Sequence, residues 1–300
     1  MKRKSMLFAA MAMTMIANAQ VFSPNGKLEW REKGKGFVIV YHNGDSECEA
    51  IAITDVGLLT KDGGGKALTK KSVLPAKAIK ESYTMIGGKS HECSNEANEG
   101  TYLYMDNIGR QQRLVVRAYN DGIAFRYAFD DLQHTRPTEE QTTYSIPEGT
   151  KRWIQKWTEP YEEFFPLTTT GENENNHWGY PALIQPADDV FALVSEAGIE
   201  RWNSASSLYN DLDKESYRVV MDENMQNTTG QWTSPWRVII VGELKDVVAS
   251  TLVTDVSEPC RIEDTSWIKP GNVSWIYWAY NHGSNDYQII RKYVDMAVEM

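Results

Sequence analysis

The sequence predicts a mainly β protein: a large sandwich, followed near the end by one strand-and-helix unit. Three observations predict it. From Val21 to about Thr265 the chain is a succession of short β-like runs separated by turn residues, with almost no sustained helical periodicity. Asn-Gly and Asn-Asp-Gly punctuate those runs at hairpin spacing. After Pro270 the texture changes to an apolar run, a polar turn and an amphipathic helical pattern.

Residues 1–19 stand apart. Lys2-Arg3-Lys4 is a basic start, Met6 to Ile16 is apolar, and Ala17-Asn18-Ala19 is a small-x-small end. This is the layout of a secretory signal cleaved after Ala19, so a periplasmic protein is expected. Without that segment the chain carries 28 Lys+Arg against 41 Asp+Glu, a net −13. So acidic a surface disfavours nucleic acid and anionic membranes as partners and suits neutral ones.

In order, Ser23-Pro24-Asn25-Gly26 is a turn before a run at Lys27–Arg31. Gly36–His42 then ends at Asn43-Gly44-Asp45, where both central turn residues are expected to take positive φ. A second hairpin joins Gln112–Tyr119 to Ile123–Phe129 through Asn120-Asp121-Gly122, with Ile123, Phe125, Tyr127 and Phe129 on one face. Further strands are expected at Thr142–Ile146, Lys151–Trp157, Val190–Glu196, Tyr217–Met221, Trp236–Val241 and Arg261–Glu263, and a short helix at Asp246–Thr251. About 240 residues exceed a seven-strand sandwich, so two large packed sheets are expected. Asp130-Asp131 and Asp188-Asp189 read as turn residues. Cys48, Cys93 and Cys260 match no metal spacing; buried unpaired thiols are the plain reading, though an oxidising compartment would allow one disulfide. The 25 Trp plus Tyr residues suit both a core and a sugar-stacking surface.

Val273–Tyr280 is apolar nearly throughout, as in a strand buried on both faces, and Trp275 reads as core. Asn281-His282-Gly283-Ser284 is a turn, and Asn285 with Gln288 is placed to cap a helix. Tyr287, Ile290, Tyr293, Val294 and Ala297 recur at helical spacing. A parallel strand needs neighbours, so this unit is expected to belong to a longer protein; packing back onto the sandwich is the alternative.

Four segments, in order, resemble glycoside hydrolase family 97, exported glycosidases of Bacteroidetes type. They are Ser23-Pro-Asn-Gly-Lys-Leu28, Tyr119-Asn-Asp-Gly-Ile-Ala-Phe-Arg-Tyr127, Ser234-Pro-Trp-Arg-Val-Ile-Ile240, and Trp267-Ile-Lys-Pro-Gly271 with Ser274-Trp-Ile-Tyr-Trp278. The resemblance implies an N-terminal β-supersandwich over 20–266 and, over 267–300, the linker and first strand-helix unit of a truncated (β/α)8 catalytic barrel. It implies hydrolysis of α-galactosides or α-glucosides, calcium as cofactor, and an oligosaccharide partner, with the 275–284 segment more similar to the retaining, α-galactosidase-like branch. Glycoside hydrolysis needs two carboxyl groups about the scissile bond. In the family these come from later barrel strands, so no catalytic residue is named here, and the fragment alone is expected to be inactive. A non-catalytic carbohydrate-binding or scaffold sandwich is the alternative.

Site residues follow from the same resemblance. Trp153–Phe164 matches the segment that supplies a calcium-ligating glutamate, on Glu162, with Glu163 one register away. Calcium takes such hard oxygens. The polar loop after Thr168 corresponds to one that reaches the sugar, making Asn176, His177 and Trp178 substrate candidates. Trp278, Asn281 and His282 sit at the C-terminal end of the first barrel strand, the end that faces the active site in this architecture. A nucleophilic triad on His282 finds no partner in sequence.

Overall fold

The computed structural model describes residues 20–172, 174–222, 225–271, 273–276 and 285–300. The chain divides into two compact units: the described residues up to Ser82 with Ser94–Glu258, and Tyr83–Cys93 with Pro259–Met300.

The large unit is built from antiparallel strands in one connected ladder rather than two separate sheets. Val21–Phe22 pairs with Leu28–Lys33, which pairs with Gly36–Asn43, then Ser46–Asp55, then Thr143–Ser145. From there the ladder runs through Ser216–Met221, Ser206–Tyr209, His177–Ala187 and Val190–Ala197. It continues through Trp236–Gly242, Gly122–Thr135, Gln111–Tyr119 and Glu92–Met105. Lys151–Lys156 and Thr228–Thr233 join at the sides, and Leu58–Thr60 pairs separately with Pro137–Glu140.

The inner face of this ladder holds the main core. Trp30 stacks on Phe37 at 4.5 Å, Phe37 meets the edge of Tyr102, and Phe125 lies against both Trp30 and Tyr127. Period-two alternation puts Ile123, Phe125, Tyr127 and Phe129 there, as expected. The opposite face of the same strands is covered too. Ala124, Trp236, Val238 and Ile240 form a second cluster beneath two short helices, Leu244–Ala249 and Leu252–Asp255. Arg126 lies 4.2 Å from the Trp236 ring centroid and Arg117 5.0 Å from it. Farther along, Trp153, Phe165, Leu183, Phe191, Leu193 and Leu244 line an apolar groove of about 490 Å³.

One buried ion cluster crosses the core. Arg237 donates Nε to Glu140 Oε1 at 2.9 Å and Nη2 to Glu140 Oε2 at 2.6 Å, and its Nη1 reaches Glu196 Oε2 at 2.5 Å and Ser206 Oγ at 2.9 Å. Arg237 and Glu140 are each 1% exposed. Fork geometry suits arginine here, because a charge this deep is tolerated only when paired and hydrogen-bonded. The Ser234–Ile240 segment therefore has a structural reason for its composition: Ser234 Oγ accepts the Tyr127 amide, Trp236 supports two arginines, and Arg237 bridges two strands.

Both hairpins form, with different turns from those expected. Asn43 pairs with Ser46, so the loop is Gly44-Asp45, and of the two only Gly44 has positive φ, at 61°. That is the pattern of a II′ turn, not I′. In the second hairpin Gly122 does not take positive φ; a Cβ there would lie 2.5 Å from the Ile239 carbonyl oxygen. Close approach of a neighbouring strand, not turn conformation, requires that glycine. Its turn touches the Ser23–Gly26 turn: Asn25 N donates to Asn120 Oδ1 at 2.9 Å.

Other expectations are corrected. Arg261–Glu263 is exposed and carries no strand. Asp130 and Asp131 lie inside the strand Gly122–Thr135, whereas Asp189, with φ 60°, does sit in a turn. Of the cysteines only Cys93 is buried, and all three are free. The second unit contains the expected helix, Tyr287–Glu299, but its cap is Asp286, whose side chain accepts from the Gln288 and Ile289 amides. None of its residues is buried. Val273–Ile276 form no strand, and Trp275 is exposed rather than core; among the described residues no strand pairs with them. Residues 277–280 of the expected strand lie outside the described residues.

Candidate functional site

The segment that carries Asn176, His177 and Trp178 is set by four strands lying side by side. Lys156 pairs with Trp178, and His177 pairs with Tyr209, which in turn pairs with Arg218 on the next strand. Trp157, one residue past its strand, still donates its amide to the His177 carbonyl at 3.1 Å. Residues at one register position point to one face, so Trp157, His177, Tyr209 and Arg218 form a single rung across the sheet. The His177 and Trp157 rings stack at 4.6 Å and 9°, the His177 and Tyr209 rings at 4.0 Å and 19°, and Arg218 lies 5.5 Å from the Tyr209 centroid. Such ring pairs contribute about 0.5–1.5 kcal/mol each beyond the area they bury.

Both nitrogens of His177 are engaged. Nε2 lies 2.9 Å from Ser207 Oγ and Nδ1 lies 3.0 Å from the Tyr209 hydroxyl. Ser207 Oγ donates to Asp222 Oδ1 at 2.7 Å. Burial holds the His177 imidazole below its usual titration range, against the opposing pull of Asp222. Trp157 and Tyr209 lie against the two faces of His177, and both its ring nitrogens have protein partners.

Trp178, at the alternate position, turns inward. It is 3% exposed, and its Nε1 donates to Asn210 Oδ1 at 2.9 Å. That corrects the expectation of an aromatic facing a ligand; strand alternation sends it to the core. Asn210 also donates to the carbonyls of Gly171 at 2.6 Å and Lys214 at 3.0 Å, which ties down the base of the polar loop. Asn176, at φ 51°, lines an open depression of about 460 Å³ with Lys156, Glu172, Glu174 and Lys214. Of the three loop candidates, Asn176 and His177 are half-buried and Trp178 is buried; Asn176 is the one that lines the depression.

Glu162 lies in the exposed stretch between the strand Lys151–Lys156 and Leu167, flanked by exposed Glu159 and Glu163, with Phe164 88% exposed. Among the described residues no group of three or more His, Cys, Asp or Glu side chains is placed to hold a metal ion. The chemistry of Glu162 fits one hard-oxygen ligand, but these residues do not assemble a calcium site by themselves. Trp278, Asn281 and His282 lie outside the described residues.

Sequence reasoning missed Tyr209, Ser207 and Asp222. No motif links them to His177, which lies 30 to 45 positions away. Their one signal is alternation: two residues apart on a strand, Ser207 and Tyr209 share a face and bracket whatever stands opposite.

The fold and these residues define an antiparallel β-sandwich domain with an aromatic rung at one side. Residues 21–259 match the family described as Glycosyl-hydrolase 97 N-terminal, and the chain belongs to that family. Among curated relatives, it is 25% identical over 224 residues to a probable retaining alpha-galactosidase of Streptomyces bingchenggensis, covering 74% of this chain and 35% of that protein. It is 24% identical over 197 residues to a retaining alpha-galactosidase of Bacteroides thetaiotaomicron, covering 54% and 30%. The chain thus spans about a third of the length of these relatives. Solved structures share the fold. A family 97 enzyme from Pseudoalteromonas sp. strain K8, in complex with acarbose, superposes at TM-score 0.71 with 20% identity over 84% of this chain and 40% of that one. A beta-arabinopyranosidase superposes at 0.75 with 22% identity over 94% and 49%.

Proposed function

We propose that this chain is the N-terminal sandwich of an exported, calcium-dependent glycoside hydrolase that cleaves α-galactosidic bonds, with α-glucosidic bonds as the alternative. The observation that carries the reading is the family match over 21–259, joined to two curated relatives, one named a probable retaining alpha-galactosidase and the other a retaining alpha-galactosidase. The substrate is an oligosaccharide ending in α-linked galactose or glucose. The two catalytic carboxyl groups come from residues outside these 300, about 5 Å apart for a retaining mechanism.

In this reading the sandwich lends parts to a site completed elsewhere. Glu162 supplies one carboxylate ligand to calcium, whose remaining ligands come from the catalytic domain. Asn176 approaches the sugar from the sandwich side, and Trp278, Asn281 and His282 approach it from the first barrel strand within 267–300. Export to the periplasm follows from the signal over 1–19.

The test is hydrolysis of nitrophenyl α-galactoside and α-glucoside by the product of the full reading frame that carries this chain, with and without a calcium chelator. Galactoside hydrolysis that is lost with chelator and weakened by Glu162→Ala supports the reading. Glucoside hydrolysis alone selects the alternative bond. No hydrolysis of either leaves a non-catalytic carbohydrate-binding sandwich, and activity indifferent to both chelator and Glu162→Ala removes the metal assignment.

A further inference from the structure

The geometry points to His177 as a positioning residue that never contacts substrate: a neutral imidazole, protonated on Nε2, that locks Trp157 and so fixes where the segment Thr158–Phe165 leaves the sheet. It rests on the reading above in one respect, that this segment carries a functional residue, Glu162.

The hydrogen-bond chain has one consistent direction. Asp222 is a carboxylate and can only accept, so Ser207 Oγ gives it its single proton. Ser207 must then accept from His177, which places a hydrogen on Nε2. In the neutral ring Nδ1 is then an acceptor, and the Tyr209 hydroxyl donates to it. The Asp222 end thus sets the direction as far as Nε2, and in a neutral ring the order runs Tyr209 to His177 to Ser207 to Asp222. No other tautomer satisfies all three contacts.

The same four residues are locked laterally. Tyr209 and Ser207, two apart on one strand, flank the imidazole, and Trp157 covers its free face in near-parallel contact. At the far end Arg218 is clamped by Asp211 through Nε to Oδ1 at 2.8 Å and Nη2 to Oδ2 at 3.0 Å. The rung thus runs from a clamped arginine to the last ordered ring before an exposed loop. Beyond Trp157 no strand supports the chain until Leu167. The indole is the anchor, and the imidazole fixes its angle.

Two measurements on the 300-residue chain test this. In protein labelled with ¹⁵N-histidine, His177 should show a protonated Nε2 and an unprotonated Nδ1 at pH 7; an Nδ1–H tautomer or an imidazolium overturns the assignment. In hydrogen exchange, His177→Ala should speed exchange of 158–165 by roughly tenfold or more, with the core strand Gly122–Thr135 unchanged. His177→Phe, which keeps the stack and loses both hydrogen bonds, should recover part of that protection. Unchanged exchange in 158–165 overturns the proposal. If His177→Ala does not fold, Tyr209→Phe, which deletes one hydrogen bond of the chain, and Ser207→Ala, which deletes two, carry the same test on a smaller scale. In the full-length enzyme His177→Ala should raise KM and spare kcat; an equal fall in kcat would make His177 part of the chemistry and overturn the positioning role. An inactive wild-type enzyme would defeat the glycosidase reading while exchange and nitrogen shifts still decide the role of His177.

Discussion

Replacing Arg237 with methionine removes the partner of a carboxylate that has nowhere else to go. Glu140 is 1% exposed and receives two of its hydrogen bonds from Arg237, while Glu196 and Ser206 lose the same guanidinium. A buried charge left unpaired costs about 3–5 kcal/mol, because desolvation is no longer offset by attraction. Against a total stability of about 5–15 kcal/mol that is a large share. At about 2–4 °C per kcal/mol for a domain this size, the midpoint should fall by roughly 6–20 °C. Urea unfolding followed by tryptophan fluorescence would read the difference. Adding Glu140→Gln should return much of the loss, since the amide carries no charge to strand. An Arg237→Met cost under about 1 kcal/mol, or a double variant as weak as the two single losses added, would refute the argument.

Two further outcomes are expected. Gly122→Ala, whose Cβ would meet the Ile239 carbonyl oxygen and Leu252 Cδ2 each at 2.5 Å, should cost about 1–3 kcal/mol in thermal unfolding, since a strand backbone must shift to admit it. Acid should weaken the fold in two windows. His177 is held below its ordinary 6.5 by burial, so the unfolded chain binds the proton more readily; stability is complete above pH 6.5 and falls as pH drops below it. Asp62 is held well below its ordinary 3.8, chiefly by Arg110, so its contribution is full above about pH 4 and is lost as pH falls through its lower folded value. Unfolding midpoints of His177→Phe across about pH 4–8 and of Asp62→Asn from about pH 5 down to the acid limit of the fold should flatten one window each.

What could be read from the residues was whatever depended on near neighbours. The two hairpins and the alternation of Ile123 to Phe129 are local facts, and they are where the sequence places them. The long strand Thr69–Thr84 was not legible: it is mostly exposed, rich in lysine and contains Pro75, so no apolar period marks it. His177–Ala187 contains Gly179 and Pro181, residues that ordinarily end a strand. The rung at His177 depends on which strands lie side by side, and that follows from the register of 177 on 209 and 209 on 218 rather than from any segment alone. The loop carrying Asn176 and His177 was found, yet the division of labour within it was not. Alternation decides that Trp178 faces the core while His177 faces the rung, and alternation shows only once a strand is known to begin there.

The connectivity of the ladder also sets a timetable. Ser46–Asp55 can close its hairpin with Gly36–Asn43 at once, but its other edge waits for Thr143–Ser145, roughly 90 residues later. At about 5–20 residues per second that edge, carrying Ile51 and Ile53, stands open for roughly 5–20 s of synthesis. Thr143–Ser145 in turn waits for Ser216–Met221. A growing chain with this topology therefore exposes an apolar strand edge while roughly 90 of its 300 residues are made, and a helper that binds extended apolar segments would find its substrate there.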